Sequence, residues 1–168
     1  MIKAVFFDFV GTLLSKESEA ITHLKIMEKL LKNAKVEISA RQLLEEYEQL
    51  AMKEFSRLAG RPYKPIRIIE VEILEKLAQK YNFEVPEDFW QTHLKMHQLY
   101  GKLYPEVIET LNELKKRGYH VGLITDSDND YLRAHLEGLG ILDLFDSITT
   151  SEEAGFFKPH PKVFEIAL

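Results

Sequence analysis

The sequence predicts an α/β fold in which a parallel sheet alternates with helices and is interrupted early by a helical insert. Three observations carry this expectation. A continuous apolar run fills residues 2–8, a second spans Tyr119 to Ile124, and the stretch from Ser15 to about Tyr100 has helical periodicity without a strand-like run. Short continuous apolar runs suit strands buried on both faces of a parallel sheet, whereas half-exposed strands alternate apolar with polar residues.

Taken in order, the first strand ends on Asp8 and turns at Gly11-Thr12. Apolar residues then recur at helical spacing in four groups: Ile21, Leu24, Ile26 and Leu30; Leu43 to Leu58; Ile68 to Leu77; and Phe89 to Leu99. Four helices packed as a small bundle follow from that pattern. Gly60 to Pro65 separates the second from the third, and Val85-Pro86-Glu87-Asp88 opens the fourth with acids expected in its first turn. A Leu- and Lys-rich helix stopped by Gly118 leads into the second strand. A helix over about Asn129 to Leu139, a weaker strand near Asp146 to Thr149, and a helix from Pro161 onward complete the alternation. The expected organisation is a core made of residues 1–14 and 101–168, with residues 15–100 inserted as a helical bundle.

Bulk properties narrow the classes of function. A chain of 168 residues with 45% hydrophobic content can bury a sizeable core. The net charge of −5 argues against a nucleic-acid partner while leaving small anions as ligands. With no cysteine, disulfides, thiolate catalysis and zinc–thiolate sites are excluded, and a reducing cytoplasmic location is expected. The amino-terminal apolar run is interrupted by Lys3 and ends at Asp8, too short for a membrane span and without a signal-peptide pattern. No membrane partner is expected.

Asp8 lies where an apolar strand meets a glycine turn, at the carboxyl edge where open α/β sheets bind ligands. Backbone N–H groups of Gly11 and Thr12 are expected to face an anion there, and a carboxylate beside such a nest can attack a bound phosphoryl group. The alternative is an Asp that only caps its turn. Thr125 ends the second strand and offers a hydroxyl at the same edge, followed by Asp126; its alternative is a helix cap. Lys158, in Gly155-Phe156-Phe157-Lys158-Pro159-His160-Pro161, sits in a constrained loop suited to neutralising both a carboxylate and a phosphate. The alternative is a solvated loop lysine.

These three motifs, in this order and each after an expected strand, resemble the haloacid dehalogenase superfamily. Asp8-Phe9-Val10-Gly11-Thr12-Leu13 is similar to its first motif at all but one place, Val121 to Thr125 to its second, and Gly155 to Pro161 to its third. The insert is similar to that family's four-helix C1-type cap, and the sheet to its Rossmann-like core. Within the family the chain is similar to archaeal glyceraldehyde 3-phosphate phosphatases. The resemblance implies Asp8 as a nucleophile that forms an aspartyl-phosphate, and Mg2+ held by Asp8 and the Val10 backbone carbonyl. It also implies Gly11, Thr12, Thr125, Asp126 and Lys158 as groups binding a small phosphorylated substrate, with Thr125 and Lys158 part of the catalytic set.

Two departures qualify that implication. Val10 stands where the family's phosphatases carry the acid that protonates the leaving alcohol, a contribution of about 10²–10⁴-fold. The family's fourth motif, an acidic pair completing the Mg2+ site, would lie beyond Leu168. The 168 residues are therefore expected to be incomplete at the carboxyl end and nearly inactive alone. The first strand should then expose an edge that pairs with a missing segment or another chain. A halide leaves without a proton, so 2-haloacid dehalogenation through an ester on Asp8 is the alternative activity. Against it, no Arg occurs between Met1 and Ala40. A non-catalytic module that binds a phosphoryl ligand or a protein is the alternative of another class.

Other polar residues are expected to be structural. Arg57, Arg61, Lys64 and Arg67 read as a solvated basic face. His93 and His97 have the i, i+4 spacing of a metal pair, but no Glu or third ligand accompanies them in sequence, so packing beside Trp90 is expected. His160 reads as a structural residue between two prolines.

Overall fold

The computed structural model describes residues 2–168. Its sheet contains three parallel strands in the order β1-β2-β3: β1 (Ala4–Phe7), β2 (His120–Thr125) and β3 (Ser147–Thr150). After β1 come the four helices of the insert: α1 (Lys16–Leu31), α2 (Ala40–Leu58), α3 (Ile66–Tyr81) and α4 (Phe89–Tyr100). The core helices are α5 (Val107–Lys116), α6 (Asn129–Gly138), α7 (Ser151–Ala154) and α8 (Pro161–Ala167).

Local chemistry explains the boundaries. Ser15 accepts a hydrogen bond from the Ser18 N–H to start α1, and Ser39 with Gln42 forms a reciprocal capping box at α2. Pro161 begins α8, where its missing N–H costs nothing. The fourth insert helix departs from expectation: Glu87 and Asp88 precede α4, and its first turn holds no acid.

Two apolar clusters dominate. Ile26, Leu43, Ile69, Leu74 and Phe89 meet inside the four-helix bundle, joined by Phe157 from the loop before α8. Leu14, Leu111, Val121, Leu123 and Leu136 form the second cluster, under the sheet. Gly122 is required in β2 because a Cβ there would lie 2.3 Å from the Phe6 ring of the paired strand.

The expectation of a first strand buried on both faces is corrected. Ala4 to Phe7 are all half-buried, whereas β2 is buried from Val121 onward. The reason is topological: among the described residues β1 pairs only with β2. A groove of about 310 Å³ opens there, lined by Phe6, Phe7, Asp8, Ile124, Lys158, Phe164 and Leu168.

Candidate active site

Parallel pairing brings the functional strand ends to one edge. Phe7 lies opposite Leu123, so Asp8, one residue on, reaches the sheet edge beside Ile124 and Thr125. Lys158 Nζ lies 2.9 Å from Asp8 Oδ1 and 3.3 Å from the Ile124 carbonyl oxygen. Sequence separation of these groups is therefore no obstacle to a direct ion pair. The Asp8 and Lys158 side chains are 46% and 23% exposed, so the pair contributes at most about 1 kcal/mol to stability and stays open to a ligand.

Thr125 is buried at the end of β2, opposite Thr150. It is not the cap of α6, whose N-cap position is Asp128. Asp126 accepts a hydrogen bond from the Lys158 N–H at 2.9 Å. Burial pushes its carboxyl above the ordinary value; that hydrogen bond and the Lys158 charge oppose the shift, while the Asp8 charge adds to it.

The turn after Asp8 corrects the expected anion nest. The N–H of Gly11 donates to the Leu14 carbonyl at 2.8 Å, and that of Thr12 to the Phe9 carbonyl at 3.2 Å. Both donors are consumed in closing the turn, and the turn leaves the N–H groups of Phe9 and Val10 outside its hydrogen bonds. Gly11 itself has φ +80°, and a Cβ there would meet Lys16 Cε at 2.5 Å. Any side chain would displace both the turn and the lysine lying over it. Val10 is 42% exposed.

The loop carrying Lys158 is clamped from the helical bundle. The N–H groups of Gly60, Tyr63 and Phe157 bond the carbonyls of Lys158, Gly155 and Arg61 at 2.9–3.0 Å. A second tie comes from Asp128. Its carboxylate accepts from the Tyr63 hydroxyl at 2.5 Å and from the N–H groups of Ile66 and Arg67 at 2.7 and 2.9 Å. An acid at the N-cap position of α6 thus caps α3 instead, where Pro65 offers no side-chain cap. Sequence reasoning missed this pin, since nothing in the Thr125–Asp128 segment states which helix it faces.

The remaining candidates separate cleanly. Arg57, Lys64 and Arg67 pair with Glu54, Glu72 and Asp130 at the surface. His160 caps α8 through Nδ1 and stacks on Phe156. His93 stacks on Trp90 as expected, with ring centroids 4.8 Å apart. The expectation that no acid accompanies His93 and His97 is corrected: Glu70 and Glu19 approach them at 3.4 and 3.3 Å. These acids come from other helices, which explains why spacing along one helix did not show them.

Known proteins share this fold. A glyceraldehyde 3-phosphate phosphatase of Methanothermobacter thermautotrophicus is 30% identical over 171 residues, covering 100% of this chain and 71% of that protein. The solved L-2-haloacid dehalogenase of Xanthobacter autotrophicus superposes with a TM-score of 0.70 at 21% identity, over 99% of this chain. A HAD phosphatase from Thermococcus onnurineus gives 0.67 at 24% identity, also over 99%. This chain spans 63% and 70% of those two structures. Residues 2–168 match the description "haloacid dehalogenase-like hydrolase", and the chain belongs to that family.

Proposed function

We propose that the chain carries the nucleophile of a Mg2+-dependent phosphatase acting on a small phosphate ester. The observation that carries this reading is the Lys158 ammonium 2.9 Å from Asp8 Oδ1, at the edge where Thr125 ends β2. An Asp8 oxygen attacks phosphorus as the ester P–O bond breaks and the alcohol oxygen leaves. Water then attacks the aspartyl-phosphate, releasing inorganic phosphate and restoring the carboxylate. Lys158 offsets negative charge on both partners, and the Thr125 hydroxyl donates to a phosphoryl oxygen.

The residues fit a hard cation in donor type: Asp8 is half-exposed with one oxygen outside the Lys158 contact, and Val10 supplies a carbonyl in the adjoining turn. Bound there, Mg2+ would neutralise phosphoryl charge. Asp126, at the same edge and bonded to the Lys158 N–H, is the acid we assign to the proton transfer for which Val10 has no group. The small phosphorylated three-carbon sugar suggested by the Methanothermobacter relative is the first substrate to try.

Dehalogenation remains the second reading because Val10 is apolar and a halide needs no proton. The discriminating test is incubation of the full-length protein with phosphorylated three-carbon sugars and with 2-haloacids, measuring phosphate and halide. Phosphate release abolished in Asp8→Asn is expected. Halide release without phosphate, or phosphate release unchanged in Asp8→Asn, overturns the phosphatase reading.

A further inference from the structure

Where the bundle meets α6, side chains from four helices converge on a buried polar cluster that the chemistry at Asp8 does not use. Glu19 and His23 lie one turn apart on α1, and His93 and His97 one turn apart on α4. Glu70 comes from α3, and Tyr131 with His135 from α6. His93, His97 and His135 are 2%, 1% and 1% exposed. Glu19 Oε2, both ring nitrogens of His97 and both of His135, with His93 Nε2 and Glu70 Oε2, have no hydrogen-bond partner among the described residues.

An unpartnered buried polar atom costs about 1–3 kcal/mol, so this concentration calls for an occupant that several of them can share. The chemistry of the donors selects its charge. Carboxylate oxygens only accept, an imidazole ring offers a lone pair at one nitrogen, and among the described residues no Lys or Arg ion-pairs with Glu19 or Glu70. A cation satisfies such a set.

We propose that Glu19, His23 and His97 form a binding site for a divalent transition-metal ion of the zinc class, tying α1 to α4 beside α6. Their ligand atoms all lie within 4.8 Å of one another. His97 Nδ1 is 3.3 Å from Glu19 Oε2, and His23 Nε2 is 3.6 Å from Glu19 Oε1. Ligands about 2.0–2.1 Å from a tetrahedral ion are separated by about 3.3 Å, so the first contact has the spacing of a coordination edge. Two His and one Glu make a known zinc donor set that needs no cysteine and leaves a fourth position for water. The Tyr131 hydroxyl donates to Glu19 Oε1 at 3.1 Å, the outer hydrogen bond that orients a ligating carboxylate. His23 and Glu19 are 20% and 13% exposed, which gives the ion a route in from solvent.

The test uses the chelator-stripped full chain, with excess Mg2+ present to occupy hard-oxygen sites. Zn2+ binding is measured by calorimetry, Co2+ binding by visible absorption, and thermal unfolding with and without Zn2+. One Zn2+ per chain, an intense tetrahedral Co2+ spectrum and a raised Tm are expected. His23→Gln, at a partly exposed position, should remove the Co2+ spectrum while keeping the metal-free Tm and circular dichroism. Tyr131→Phe should weaken Zn2+ by about 10–100-fold. Absence of stoichiometric Zn2+ binding, or binding unchanged in both variants, overturns the proposal.

Discussion

Val10 has 42% of its surface exposed, two residues beyond the carboxylate that Lys158 holds. A carboxyl placed there would meet water and a leaving oxygen without displacing any buried neighbour. Val10→Asp should therefore raise turnover of alkyl phosphates by about 10²–10⁴-fold while changing aryl phosphates far less, because an aryl oxide departs without a proton. Steady-state kcat for one ester of each kind checks it. If Asp126 is the present donor, Asp126→Asn gives the mirror result, with alkyl turnover reduced at least about tenfold and aryl turnover nearly kept. That Asp8, Thr125 and Lys158 meet at one sheet edge was legible in sequence, because each follows an apolar strand or lies in a constrained loop. The donors of Gly11 and Thr12 were not, since which N–H closes a turn depends on ring geometry rather than residue type. The direction of the Asp128 carboxylate was hidden for a similar reason: the helix it caps is brought there by tertiary packing.

At the scale of elements, the pin from Asp128 to α3 and the cluster between α1, α4 and α6 set how the bundle sits on the sheet. Asp128→Ala strands two helix-terminal N–H groups and a tyrosine hydroxyl, and should cost about 1–3 kcal/mol in urea denaturation. Burial holds His93 and His97 well below 6.5 and His135 at about 4, while burial and the Glu19 charge push Glu70 up to about 8. The facing groups are Glu19 and His23 from α1, Tyr47 from α2 and Tyr131 from α6. Below about pH 6.5 the unfolded chain takes up imidazole protons that the folded chain refuses, so stability falls as pH drops. Glu70 acts oppositely, holding a proton that the unfolded chain loses above about pH 4.5, and its contribution disappears as pH rises towards about 8. Three imidazoles outweigh one carboxyl on the acid side, so metal-free stability should peak near pH 6.5. Urea midpoints at about pH 5, 6.5 and 8 test the sign on each side. The four insert helices were readable from apolar spacing, but the cluster was not, because its acids and imidazoles lie on different helices.

Over the whole molecule, the parallel alternation was legible because β2 and the core helices follow simple burial rules. The burial of β1 was overestimated because a run of apolar letters does not reveal how many neighbours a strand has. With one side of β1 unpaired among the described residues, and Phe6, Phe164 and Leu168 lining the adjoining groove, the 168-residue chain should self-associate as its concentration rises. Light scattering across a dilution series reads this directly, and a Lys substituted at Phe6 should reduce it. The zipper joining Gly60–Tyr63 to Gly155–Lys158 has a different kind of consequence. Through these bonds, any displacement of the bundle would be passed to the loop that places the ammonium beside Asp8. The position of that charge is therefore set from the bundle as well as from the sheet.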